Sequence, residues 1–147
     1  LSLENLPEDL VVNTHICRGN YHSTYASSGP YDKVAPYVFA QEKVESFYLE
    51  YDDKRSGNFT SLKEIPRGKK VVLGLITSKR PELESKDLIK RRIYEASQYV
   101  PLRDLYLSPQ CGFASCEIGN KLTEEEQFAK LRLVKEIAEE VWGAEEA

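Results

Sequence analysis

In Val11-Val12-Asn13-Thr14-His15-Ile16-Cys17 an apolar, β-branched lead-in ends on an imidazole and a thiol two residues apart. On a strand the side-chain period of two sends His15 and Cys17 to one face. Imidazole nitrogen and thiolate sulfur side by side make half of a borderline-soft metal site, and zinc suits that donor pair best. Alone, a His-x-Cys is ordinary sequence, because a metal site needs further ligands. Other side chains with the right chemistry include Glu50, the two remaining cysteines Cys111 and Cys116, and a second histidine, His22. Which of them meet the first pair depends on the elements that carry them.

Residues 10–17 read as a first strand, followed by a Gly-, Ser- and Tyr-rich loop over 18–30. Tyr21, Tyr25 and Tyr31 in and after this loop either line a cleft or cover the edge of the core. Residues 31–44 read as a helix weakened by Pro36, and 46–51 as an aromatic-rich second strand with a loop over 52–58. A short helical turn over 61–65 stops at Pro66 and Gly68. Residues 71–77 (VVLGLIT) form a continuous apolar run, the pattern of a strand covered on both faces. A helix over 86–100 carries Ile89, Ile93, Ala96 and Val100 at helical spacing. A fourth strand over 105–108 leads into Pro109-Gln110-Cys111-Gly112. The last helix, 124–142, opens with Thr123 and Glu126 in capping-box spacing, and Gly143 stands at its C-cap. Leu131, Val134, Ala138 and Val141 are its expected inward stripe. Strands alternating with helices in this way make a parallel α/β sheet. Two forms fit: a small open sheet, or half of a (β/α)8 barrel, since the whole barrel takes about 250 residues.

In parallel α/β folds the functional side chains gather at the carboxyl ends of the strands. The first strand delivers His15 and Cys17 there, the second Glu50, the third Thr77, Ser78 and Lys79, and the fourth Cys111. His15, Cys17, Glu50 and Cys111 therefore make a candidate zinc set with Glu50, the hardest donor, as the ligand to exchange. Cys116 lies past the strand end and is read as a spectator. His22 sits on a polar loop and is read as solvent-facing.

Composition narrows the function classes. The 147 residues carry a net charge of −4 and no basic stripe, which argues against nucleic acid as a partner. No apolar run approaches the ~20 residues of a membrane span, so no membrane partner is expected. The first residues have neither a basic start nor an apolar run, so no signal peptide is expected either. Three cysteines are an odd number, which points to reduced thiols and a cytoplasmic location rather than to a disulfide framework. The absence of methionine, including an initiator, hints at a piece of a longer chain.

His15-Ile16-Cys17, Glu50 within Tyr48-Leu49-Glu50-Tyr51, and Ser108-Pro109-Gln110-Cys111-Gly112-Phe113 together resemble the C-terminal catalytic domain of cobalamin-independent methionine synthases. The resemblance runs from the first strand to Trp142. It implies that the chain, as a single partial domain over 1–147, is the C-terminal half of a (β/α)8 barrel, strands five to eight. It also implies zinc on His15, Cys17, Glu50 and Cys111, and transfer of a methyl group to the thiol of homocysteine. The methyl donor in such synthases is a methyl-folate, whose amine leaving group needs a proton. The family's Asp and catalytic His after the seventh strand align with Thr77 and Lys79, so Lys79 is the candidate catalytic residue there. The Thr77-Ser78-Lys79 form also resembles synthase-like relatives and the epoxyalkane:coenzyme M transferases. Alkyl transfer to another thiol is the first alternative. A non-catalytic half-barrel is the second, with two open sheet edges favouring self-association.

Overall fold

The computed structural model describes residues 3–143; the first two and the last four residues of the domain expected over 1–147 lie outside them. Four strands form one sheet in the order β1 (Asn13–Ile16), β2 (Ser46–Glu50), β3 (Lys70–Ile76), β4 (Leu105–Pro109). All three pairings are parallel. A doubly wound sheet reverses its strand order at a switch point. This one never reverses, so its winding is that of a (β/α)-barrel segment, and the expected strand–helix alternation holds throughout.

β3 lies in the middle, and its residues from Val71 to Ile76 are all buried, as the continuous apolar run requires. Phe47 and Leu49, Val71, Leu73 and Leu75, and Leu105 join Ile89, Ile93, Leu133 and Ile137 in one core. An aromatic chain extends it: Phe47, Phe39, Tyr31, Tyr51 and Phe59, in that order, have ring centroids 4.6 to 5.4 Å apart from one neighbour to the next. The alternate residues Tyr48 and Tyr106 stand about two-fifths exposed on the opposite face, with Val72 between them in the sheet.

Several elements differ from expectation. β1 begins at Asn13, three residues later than expected, because β2 offers no partner strand before Ser46; a single bond from Glu45 N to Val12 O continues the pairing. The expected helix over 31–44 shrinks to α1 (Ala35–Val38). Pro36 is the cause. Ala40 N reaches past Pro36 O to Ala35 O, and Pro36 O is taken by the Gln41 side-chain amide instead. The next helix, α2 (Lys86–Ala96), is capped by Ser85 and ends at Ala96, four residues before Val100. The last, α3 (Glu124–Trp142), has the expected bounds and the expected Thr123–Glu126 capping box. Its inward face is rotated: Lys130, Leu133 and Ile137 are buried, Val134 and Val141 are half-buried, and Leu131 is exposed.

The buried lysine explains the rotation. Lys130 is fully buried, and its Nζ donates to Glu82 O at 2.7 Å and to both Glu84 carboxylate oxygens at 3.1 Å. Glu84 Oε1 in turn accepts from Thr77 N at 2.9 Å. The ion pair thus fastens α3 to the turn that follows β3.

Candidate metal centre

β1 ends one residue short of Cys17, and β4 ends at Pro109, two residues short of Cys111. Both strands present these side chains at the carboxyl edge of the sheet. The ligand atoms of His15, Cys17 and Cys111 all lie within 4.8 Å of one another. Cys111 Sγ stands 3.4 Å from His15 Nε2. Tetrahedral zinc, with bonds of about 2.0 to 2.3 Å, sets its ligand atoms roughly 3.5 Å apart, so this donor set fits the ion. Gly19 N donates to Cys17 Sγ at 3.4 Å.

Burial pushes the Cys111 thiol up to about 12, and the charge of Cys17 beside it works in the same direction. Two thiolates packed together without a cation repel each other, which is the electrostatic counterpart of a metal-ready site. An open cleft of about 610 Å³ adjoins the trio, lined by His15, Tyr48, Ser108, Cys111, Phe113 and Leu131 among others.

Glu50 is fully buried next to this trio rather than within it. Its Oε2 accepts from Arg18 N at 2.6 Å and from Gln110 Nε2 at 3.2 Å, and its Oε1 pairs with Arg55. Arg55 also pairs with Asp52 at 2.9 Å and with Asp53, and its guanidinium lies over the Tyr25 ring at 4.7 Å. Burial raises the Asp52 carboxyl above its ordinary value, against the pull of Arg55 and Lys79. Tyr31 holds the ends of two strands together: its hydroxyl donates to Ile16 O at 2.7 Å and accepts from Glu50 N at 2.9 Å. Burial raises this phenol to about 12, so it stays a protonated donor at neutral pH. Of the three loop tyrosines, Tyr31 covers the core edge while Tyr21 and Tyr25 remain exposed.

Lys79 is buried at 8 % exposure, and its Nζ donates to Gln110 Oε1 at 2.5 Å. Cys116 is half-buried and stands outside the metal-capable group found among the described residues. His22 is half-buried rather than solvent-facing, with Nδ1 3.0 Å from Gly119 O; the loop following β4 folds back over it. Sequence reasoning missed Gln110, Arg18 and Arg55, and also the pair Asn20–Asn120. Asn20 bonds Gly112 O and Ser115 Oγ, and Asn120 bonds Asn20 Oδ1 and Ser78 O, stitching three strand-end loops together. Only Gln110, inside the Pro-Gln-Cys-Gly run, carried a local signal.

Fold and site together define a parallel α/β protein with a His-Cys-Cys cluster at the carboxyl ends of its strands. Residues 6–140 match the family model described as cobalamin-independent synthase, catalytic domain. The chain belongs to that family. It is 55% identical over 142 residues to the uncharacterized protein YxjG of Bacillus subtilis, covering 96% of this chain and 38% of that one. A more distant relative is the methionine synthase of Pyrococcus abyssi, 29% identical over 101 residues, covering 69% of this chain and 26% of the other. Among solved structures, a candidate vitamin-B12-independent methionine synthase from Listeria monocytogenes superposes with a TM-score of 0.72 at 39% identity, covering 97% of this chain and 38% of that one. A B12-independent methionine synthase from Shewanella, solved with selenomethionine, shares the fold with a TM-score of 0.74 at 23% identity, covering 95% of this chain and 40% of that one. The chain thus spans about two-fifths of the length of the relatives it matches most fully.

Proposed function

We propose that this chain is the thiol-activating half of a zinc-dependent methyltransferase that acts on homocysteine, with its strands standing as strands five to eight of a (β/α)8 barrel. The observation behind this is the convergence of His15, Cys17 and Cys111 at the carboxyl ends of the two outer strands, beside an open cleft. These three residues would hold the ion, with Glu50 as the exchangeable fourth ligand. Zinc at this position supplies a soft Lewis acid that keeps a substrate thiol ionised at neutral pH.

The chain's own residues do the rest. Arg18 N, Arg55 and Gln110 hold the Glu50 carboxylate when it is not a ligand, so its release leaves no stranded charge in the interior. Tyr48 and Phe113 wall the cleft that receives the thiol's carbon chain. In the transfer, sulfur bonds to the methyl carbon as the bond from that carbon to the donor's amine nitrogen breaks, and the amine takes a proton. In the leading reading the methyl donor is a methyl-folate. Reduced cysteine ligands require a reducing compartment, in keeping with a cytoplasmic enzyme.

X-ray absorption at the zinc edge tests this. The zinc-loaded chain should show a sulfur-rich shell that gains a further sulfur neighbour when homocysteine is added. A shell unchanged by homocysteine contradicts the assignment.

A further inference from the structure

Gln110 is 1% exposed, and both ends of its amide are spoken for. Oε1 accepts from Lys79 Nζ at 2.5 Å and from Ser78 Oγ at 3.1 Å. Nε2 donates to Cys111 Sγ at 2.8 Å and to Glu50 Oε2 at 3.2 Å. The orientation is forced. Turning the amide over would set its NH2 group against an ammonium that has only hydrogens to offer. The backbone seat is equally specific. Gln110 N donates to Ile76 O at 2.7 Å, where the β3–β4 register shifts between Gly74 and Ile76. A Cβ on Gly74 would lie 2.9 Å from Gln110 Cα and 2.9 Å from Leu49 O, so only glycine lets this approach occur.

From this geometry, and resting on the metal-centre reading above, we propose that Gln110 is the positioning residue of the centre. Lys79 acts through it: the ammonium anchors the amide oxygen, and the amide presents its N–H groups to the Cys111 sulfur and the Glu50 carboxylate. Such hydrogen bonds to ligand atoms fix their orientation and tune the charge they donate to an ion. Lys79 is then a part of the ligand framework, spent on Gln110 rather than on substrate.

The test uses Co²⁺ as probe in the whole 147-residue chain, reading affinity and the thiolate-to-cobalt charge-transfer absorption, with thermal unfolding measured alongside. Gln110→Met keeps the side chain's length and removes its donors. It should weaken Co²⁺ binding by about 10- to 100-fold and shift the charge-transfer band. Lys79→Met should weaken binding less and in the same sense. The double variant Lys79→Met/Gln110→Met removes both partners of a buried polar pair, a change that can be almost neutral for stability. It should regain most of the lost thermal stability while binding Co²⁺ as poorly as Gln110→Met. Affinity that recovers together with stability would reduce Gln110 to a structural role and overturn the proposal. So would an unchanged band and affinity in Gln110→Met. A parent chain that takes up no Co²⁺ would overturn the metal centre itself, and this inference with it.

Discussion

At the scale of single residues, the site is a His-Cys-Cys set of soft donors gathered within 4.8 Å of one another. Cys111 is a thiol in the metal-free chain, raised to about 12 by burial, so loading an ion displaces its proton. Metal affinity should therefore climb as pH rises, by about tenfold per pH unit for each proton released; a competition titration with a chelator at several pH values checks the slope. The sign for stability runs the other way. A folded-state value above the ordinary 9.0 means that the thiol's contribution is complete below that pH and is lost as pH rises towards about 12. Gly74→Ala is a second residue-scale prediction. Its Cβ would meet two backbone atoms at 2.9 Å, so the strand ends must part. A loss of about 2 kcal/mol in denaturant unfolding, together with weakened metal binding, is the expected outcome. The chemistry-bearing residues were legible because a His-x-Cys on a strand and a cysteine after a strand end are local patterns. Gln110 and Arg55 were not, because an amide or a guanidinium acquires its role only from partners 31 to 60 residues away in the one case and from a turn's geometry in the other.

At the scale of elements, strand identity followed from periodicity, and helix faces did so less well. A fully buried lysine cannot be seen in a hydrophobic pattern, so the α3 stripe was displaced by one residue from the face that Lys130, Leu133 and Ile137 define. Of the helix expected over 31–44 only Ala35–Val38 forms, with Pro36 in its first turn. Lys130 makes the test of the element scale. Removing it as Lys130→Met leaves Glu84, 16% exposed, without its cation and loosens the Thr77 turn. Breaking a buried pair from one side costs about 3 kcal/mol. Equilibrium unfolding should register that loss, whereas Lys135→Met on the exposed face should stay within about 0.5 kcal/mol of the parent.

At the scale of the whole molecule, one face of the sheet carries the core and the other presents Tyr48 and Tyr106 beside two edges, β1 and β4. Edges and an apolar face invite pairing with more chain. Sedimentation velocity on the 147-residue chain should show association that grows with concentration; a sharp monomer at all concentrations would contradict this. The parallel class was legible from alternation. The barrel-type winding was not, because strand order depends on which crossovers turn back, and a repeating strand–helix pattern serves open and closed sheets alike.

The assembled centre is what joins these scales, and zinc content in single cysteine variants measures it directly. The parent and Cys116→Ser should each retain about one zinc per chain after dialysis, the stoichiometry of a single tetrahedral site. Cys111→Ser should retain little or none. Zinc kept by Cys111→Ser and lost by Cys116→Ser would contradict the assignment of the centre to His15, Cys17 and Cys111.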